Sequence, residues 1–212
     1  MRLKSSIIAL TMMLAPIPAF AEEKSYDLDT IDTIDAGGVF NIVVEFGKKQ
    51  SVIVVEPKGR FDDLDITVER GRLDLDYDGH WGWDEEESPR YTVKLTLKSL
   101  DEIDLSGASK ILVKGAQLDD LEVDLSGASQ AVISGRCKSL DADVSGASKF
   151  AAEDFVCTDI ELDLSGAAQA AINATKVIEA ETSGVSKLAI HGKAESIAHE
   201  SSGLSNTVYI EK

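Results

Sequence analysis

Cysteine, proline and histidine are scarce in this chain of 212 residues, which has two cysteines, four prolines and three histidines. Two cysteines are too few for the disulfide framework that holds many small secreted domains together. None of the three histidines stands in a metal-ligand motif, and the chain has neither a nucleophile elbow nor a nucleotide-binding glycine loop before a helix. The sequence therefore predicts no catalytic residue and no cofactor, and no histidine or cysteine is predicted as a metal ligand. The histidines are His80, His191 and His199.

Basic residues are also few, because 21 lysines and arginines stand against 38 aspartates and glutamates, giving a net charge of −17. Such a chain repels nucleic acid and anionic membrane surfaces, so neither is expected as a partner. The apolar run at 7–17 is too short to span a membrane, and no membrane insertion is expected. With Arg2 and Lys4 before it and Ala19-Phe20-Ala21 after it, this run predicts a signal peptide over 1–21. We therefore expect export to the periplasm or the cell surface.

The chain is rich in one short phrase built around Ser-Gly. It reads Asp-Leu-Ser-Gly-Ala-Ser-Lys at 104–110 and Asp-Leu-Ser-Gly-Ala-Ser-Gln at 124–130, and later copies diverge gradually. A fixed period near twenty residues is typical of a solenoid, in which each coil buries its apolar face against its neighbours. The Ser-Gly pairs begin at Ser106, Ser126, Ser145, Ser165, Ser183 and Ser202.

Alternation within each repeat predicts strands. Ile103 and Leu105 should point inward and Asp104 outward, because successive strand side chains face opposite sides. The glycine should turn a corner with positive φ, and the alanine after it, as at Ala108, should fill a tight inner corner. No stretch has a sustained helical period. The fold class is therefore all-β, a right-handed parallel β-helix with coils of about 20 residues over 99–212.

Residues 22–98 lack the phrase and are predicted as a capping region of β-strands, continuous with the repeats. Two hairpins are expected there. The first joins 39–46 to 51–55, and the second joins 64–68 to 72–77 through a turn that contains Gly71.

Cys137 and Cys157 lie one repeat apart, in a column of mostly small or apolar residues. Stacked coils would bring their Cα atoms to about one strand spacing, roughly 4.8 Å. Either two buried thiols or a disulfide bond is compatible with this placement.

A column of outward aspartates is the first candidate site. Carboxylates stacked about 5 Å apart repel one another, so water, serine hydroxyls or nearby lysines must offset the repulsion. A divalent cation such as calcium would do so as well, since calcium takes several oxygen ligands. An acidic catalytic groove, like that of β-helical pectin-degrading enzymes, is a third interpretation. The column contains Asp104, Asp124, Asp143 and Asp163.

Aromatic residues form the second candidate site. Trp81 and Trp83 lie together beside an acidic run, and Tyr209 lies in the last apolar segment. Exposed tryptophans stack on sugar rings or anchor protein interfaces, although these two would also serve to cap an open end of the core. The three residues are candidate contacts for a carbohydrate, an envelope protein or a second copy of the chain.

The segment Tyr91–Leu100, running into the repeat at 103–109, resembles the GIN-domain family, whose members are described as head domains of autotransporter adhesins. The early segment Asp35–Phe40 is similar to the same pattern. The resemblance covers about 30–212. It implies a secreted or envelope β-helical protein, and it supplies no catalytic residues.

Three functions are compatible with these features. The first is a non-enzymatic envelope or secreted protein that presents a surface for binding, adhesion or scaffolding. The second is a small carbohydrate-active enzyme on the same fold. The third is a structural periplasmic factor that maintains the envelope without binding a small ligand.

Overall fold

The computed structural model describes residues 21–77 and 91–210, and within them the protein is built from strands without any helix. Accordingly, nothing in those two ranges is a helix that could cross a membrane. The strands are β1 (Glu22–Tyr26), β2 (Thr33–Ala36), β3 (Phe40–Phe46), β4 (Ser51–Glu56), β5 (Leu64–Glu69), β6 (Arg72–Tyr77), β7 (Tyr91–Leu97), β8 (Glu102–Leu105), β9 (Lys110–Gln117), β10 (Asp120–Leu125), β11 (Gln130–Arg136), β12 (Ser139–Val144), β13 (Lys149–Leu164), β14 (Gln169–Thr182), β15 (Lys187–His191), β16 (Ser196–Ser201) and β17 (Asn206–Ile210).

The strands stack in two parallel arrays, which together make a β-solenoid. The first array runs β6-β2-β8-β10-β12 and continues through the C-terminal parts of β13 and β14 to β16. The second runs β7-β3-β9-β11 and continues through the N-terminal parts of β13 and β14 to β15 and β17. Each coil contributes one strand to each array. The predicted parallel β-helix is confirmed.

The core lies between the two arrays and is made of stacked apolar columns. Leu105, Leu125 and Val144 pair in register, and all three are buried. Opposite them, Ile133 pairs with Val113, which is also buried. Because the coils repeat their alternation, every inward position becomes a continuous column. The predicted inward columns are confirmed.

The corner between the arrays depends on a column of stacked glycines. Gly127 has φ of +70°, and the backbone nitrogen of Ala128 donates a hydrogen bond to the carbonyl oxygen of Gly107 at 2.7 Å. A Cβ atom on Gly127 would lie 2.5 Å from that same oxygen. Both the left-handed backbone and the close stacking therefore exclude a larger residue. The column contains Gly38, Gly107, Gly127, Gly146, Gly166, Gly184 and Gly203.

The alanines that follow these glycines do not fill an inner corner, and that prediction is wrong. Ala128, Ala147 and Ala167 are exposed, and the next residue in each coil is the buried one. The Oγ of Ser129 donates to the carbonyl oxygen of Ser126 at 2.8 Å. The corner thus holds a small side chain, and the Oγ of Ser109 likewise donates to the carbonyl oxygen of Gly38 at 3.2 Å, whereas the hydroxyls of Ser148 and Ser186 have no hydrogen-bond partner among the described residues. The buried residues are Ser109, Ser129, Ser148, Ala168 and Ser186.

The N-terminal region is not an antiparallel cap, because two of its strand pairs are coils of the solenoid itself. β3 and β4 do not form the predicted hairpin, since β7 lies between them. β7 runs parallel to β3 and antiparallel to β4, and its backbone pairs with both strands. The second predicted hairpin is confirmed, with β5 antiparallel to β6. Antiparallel capping is therefore limited to β1, β4 and β5.

Cys137 and Cys157 form a disulfide bond between successive coils, with their Cα atoms 4.4 Å apart. Both residues are buried. Of the two interpretations that the sequence left open, the structure contains the bridge rather than free thiols. A cross-link that closes a loop of this length stabilises a fold by about 3 kcal/mol in the chain-entropy account.

The core becomes polar toward the last coil. His199 occupies the column of Leu162 and Ala180, and its Nε2 lies 3.0 Å from the Oγ1 of Thr182 and 3.2 Å from the Oγ1 of Thr207. The Oγ1 of Thr182 also lies 3.2 Å from the Oγ of Ser205. The final coil thus resembles the polar terminal repeats that solenoids need for solubility.

Candidate functional site

Outward carboxylates form a continuous row along the first array, which we call the acidic ladder. It is longer than the sequence predicts. The four predicted aspartates are neighbours in register, and Asp35 and Asp74 extend the row on one side. Glu181 and Glu200 extend it on the other side. The acidic ladder contains Asp74, Asp35, Asp104, Asp124, Asp143, Asp163, Glu181 and Glu200.

Asp35 and Asp74 were missed because neither precedes a Ser-Gly-Ala-Ser phrase. The signal for Asp35 is the segment Asp35-Ala36-Gly37-Gly38, whose last glycine occupies the corner column. Asp74 carries no such signal, since the residues after it are Leu75-Asp76-Tyr77 and no Ser-Gly pair follows.

One arginine neutralises the N-terminal part of the acidic ladder. Arg72 places Nη1 at 2.7 Å from Oδ2 of Asp35 and Nη2 at 2.7 Å from Oε1 of Glu102. Farther along, Asp124 and Asp143 form no ion pair with any residue that the structure describes. The ladder therefore carries uncompensated negative charge from Asp124 onward.

Burial and mutual repulsion raise the pKa of three neighbouring aspartates in the acidic ladder. Partial burial, followed by the negative charges of neighbouring carboxylates, raises the pKa of Asp104, Asp124 and Asp143 above the usual aspartate range. For Asp124 the two largest charge contributions come from Asp143 and Asp104, its neighbours in the ladder. Stacking these residues consequently costs stability while they are ionised.

We expect the free energy of unfolding to rise as the pH is lowered through the range just above the ordinary aspartate pKa of about 3.9. With the native pKa values raised, the folded chain binds more protons than the unfolded chain in the window above the ordinary aspartate pKa of about 3.9. Stability is therefore gained as the pH falls through that window. Urea unfolding at several pH values checks this, and Asp124→Asn should make the rise shallower. A stability that decreases steadily from pH 7 would contradict the sign.

Glu56 affects the pH dependence of stability with the opposite sign and at lower pH. Its burial alone would raise its pKa, but hydrogen bonds from the backbone nitrogens of Arg60 and Lys58 and the charge of Arg60 outweigh this and lower the pKa. The distances to Oε2 are 2.9 Å from Arg60 N and 2.6 Å from Lys58 N. Its contribution is present above the ordinary glutamate pKa of about 4.3 and is lost as the pH falls through the lower native value.

An open cleft of about 430 Å³ lies along the C-terminal part of the acidic ladder. Its lining combines ladder carboxylates with the serines of the Ser-Gly pairs. In the part of the chain that the structure describes, no three histidine, cysteine, aspartate or glutamate side chains are grouped so that they could hold a metal ion. The carboxylates lie in a row rather than around a point. Lining residues include Asp143, Asp163, Glu181, Glu200, Ser165, Ser183 and Ser202.

The second array carries a different outward row, the lysine–amide ladder. Lysines and amide side chains alternate in it from coil to coil, so no lysine has another lysine as a direct neighbour. The sequence suggested these lysines as partners for the aspartates. None of them forms an ion pair with a described residue. The lysine–amide ladder contains Asn41, Lys110, Gln130, Lys149, Gln169, Lys187 and Asn206.

A shallow groove of about 320 Å³ runs beside the C-terminal part of the lysine–amide ladder. Its floor is a row of half-buried alanines that ends at the exposed Val208, and Glu153 lines it as well. Lys149, Gln169, Lys187 and Asn206 form its polar wall. The groove therefore offers an apolar floor next to hydrogen-bonding groups at constant spacing.

Of the three aromatic candidate residues, the structure describes only one. Trp81 and Trp83 lie outside the described residues. Tyr209 lies in the last strand, β17, and is 54% exposed. It continues the inward column of Ile172 and Ile190, so its exposure results from its position in the last described coil.

Comparison with known proteins identifies a matching family. Residues 30–194 match the family model described as "Putative auto-transporter adhesin, head GIN domain". None of the curated proteins matches the chain.

Solved structures of similar shape come from species of Bacteroides and Parabacteroides. A putative adhesin from Bacteroides fragilis has a TM-score of 0.73 at 19% identity, over 90% of this chain and 97% of that one. A putative adhesin from Parabacteroides merdae has a TM-score of 0.54 at 13% identity, over 91% and 97%. A putative lipid binding protein from Parabacteroides distasonis has a TM-score of 0.53 at 17% identity, over 90% and 98%. At these identities the likeness is one of fold. The family match covers most of the chain, and the protein therefore belongs to the family of auto-transporter adhesin head GIN domains.

Proposed function

We propose that this protein is a non-enzymatic component of the cell envelope or its surface, where the solenoid presents a face that binds an extended ligand. The observation that carries the proposal is the pair of outward ladders. Carboxylates recur at every strand spacing, about 4.8 Å, in the acidic ladder, and lysines and amides alternate at the same spacing in the lysine–amide ladder. A repeated surface suits a ligand that is itself repetitive or extended, such as a polysaccharide or a strand-like segment.

Three further observations support this function. The family is named for adhesin heads, which favours an envelope or surface location. The disulfide bond between Cys137 and Cys157 is typical of proteins that mature outside the cytoplasm. The cleft along the acidic ladder is open, and its carboxylates lie in a row along the array rather than converging on one point.

A glycan array probed with residues 22–212, with and without calcium, tests the proposal. We expect retention of one or more polysaccharides without any change in their length. Shortening of a bound glycan would instead indicate a carbohydrate-active enzyme. If neither glycans nor bacterial cell surfaces retain the protein, and gene deletion only weakens the envelope, the structural maintenance function replaces this one.

The same assay tests the aromatic candidate residues through substitutions. In the proposal, Trp81 and Trp83 contact the ligand or a partner, and Tyr209 offers a contact at the end of the solenoid. A Trp81→Ala/Trp83→Ala double variant and a Tyr209→Lys variant should each bind less while keeping their β-type circular dichroism. Unchanged binding would remove the residue concerned from the contact surface.

A further inference from the structure

We propose that the lysine–amide ladder binds a linear anionic polysaccharide that carries one carboxylate per disaccharide. This inference rests on the proposed binding function and names the ligand class and the face. It assigns the second array, rather than the acidic ladder, as the face in contact.

The distance between neighbouring lysines of the ladder matches the distance between charges on such a polysaccharide. Neighbouring levels of a parallel array are about 4.8 Å apart, so lysines on alternate levels are roughly 9.6 Å apart. Lys110, Lys149 and Lys187 are related in this way, with Gln130 and Gln169 between them. A chain with one negative charge per two sugar rings has a charge repeat of the same order. A nucleic-acid strand carries a charge about every 3.4 Å, which is too dense to match.

The lysines of the ladder do not stabilise the described fold through ion pairs. Other lysines do pair, since Lys94 lies 2.8 Å from Glu23 and Lys114 lies 3.3 Å from Glu45. The ladder lysines are exposed and form no ion pair with the residues of 21–77 or 91–210. Three unpaired cations in one straight row, in a chain of net charge −17, are available for an anionic ligand.

The amide side chains between the lysines and the alanines beside them also suit a sugar chain. Each amide both donates and accepts hydrogen bonds, which suits the hydroxyl and acetamido groups of a sugar chain. The groove floor is made of the short side chains of Ala151, Ala171 and Ala189, which let sugar rings approach the array, and the one carboxylate among the groove's lining residues is that of Glu153. The acidic ladder on the other array disfavours densely charged polyanions, so the surface selects for low charge density.

Titration calorimetry with hyaluronan oligosaccharides, which carry one carboxylate per disaccharide, tests the inference. Polygalacturonate, charged on every ring, and a neutral dextran serve as comparison ligands, and single-stranded DNA serves as a dense polyanion. Wild-type protein should bind hyaluronan more tightly than the other three. The triple variant Lys110→Gln/Lys149→Gln/Lys187→Gln should bind it about tenfold more weakly, since three exposed ion pairs are lost.

The matched control is Lys48→Gln/Lys49→Gln/Lys98→Gln, which removes the same charge from exposed lysines outside the ladder. It should bind hyaluronan like the wild type. A gain variant, Gln130→Lys/Gln169→Lys, fills the gaps in the ladder and should shift the preference toward polygalacturonate. This gain keeps the test informative if the triple variant folds poorly.

Equal losses in the two triple variants would overturn the assignment of the ladder, because binding would then follow net charge alone. Tighter binding to polygalacturonate or DNA than to hyaluronan by the wild type would overturn the spacing argument. Absence of hyaluronan binding would also overturn the inference. If the array retains other glycans in that case, the proposed binding function still holds, whereas a failure on the array and on cells removes both.

Discussion

Replacing Gly127 by alanine should destabilise the protein by about 4 kcal/mol. A left-handed backbone at an alanine contributes part of the loss, since Gly127 has φ of +70°. The larger part comes from the new Cβ, which would meet the carbonyl oxygen of Gly107 at 2.5 Å and cannot be relieved by a rotamer change. Urea unfolding monitored by circular dichroism measures the loss.

Gly115→Ala is the matched control. Gly115 also has a left-handed backbone, with φ of +67°, but a Cβ placed there meets nothing within 4 Å. Only the backbone cost remains, about 1 kcal/mol. Similar losses for the two variants would show that the glycine column is required for its φ alone and that the coils do not stack as closely as described.

Replacing Leu125 by aspartate should cost about 5 kcal/mol, because it removes a packed side chain and buries an unpaired carboxylate. Leu125 is 1% exposed and stacks between Leu105 and Val144. Its neighbour Asp124 points outward, so Asp124→Asn relieves repulsion and should be neutral or slightly stabilising near pH 7. Thermal melts of the two variants compare them directly.

A clear loss of stability in Asp124→Asn would mean that the acidic ladder makes a stabilising contact, such as a bound cation, rather than a repulsive one. Repeating the melt with a chelator would then distinguish a metal contribution from a contribution by protein groups alone.

The repeats of this protein could be predicted from sequence because each coil shows its own alternation and its own corner. Ile103, Leu105 and Asp104 face the predicted directions, since the period of two applies to any strand. The corner was predicted less well. Exposure of Ala128 and burial of Ser129 depend on where the bend turns its carbonyls, and hydrophobicity alone favours burying the alanine.

The N-terminal coils could not be predicted, since their order in space differs from their order in the chain. β7 enters between β3 and β4, although β3 and β4 are separated by only a short turn. Local turn signals predict a hairpin there, and the tertiary packing of β7 overrides it. The lysine–amide ladder was missed for a related reason. Its members look like variable ends of the repeat until the register stacks them.

The displaced order of the N-terminal coils has a consequence for how the chain folds. β2 pairs with β6 and β8, so Thr33 must find Arg72 and Glu102, which are distant in sequence. Later coils need only the coil about 20 residues before them. Loop closure makes the distant pairings slow and the local ones fast. The later coils should therefore form first, and the N-terminal coils, which depend on the distant pairings, should assemble last.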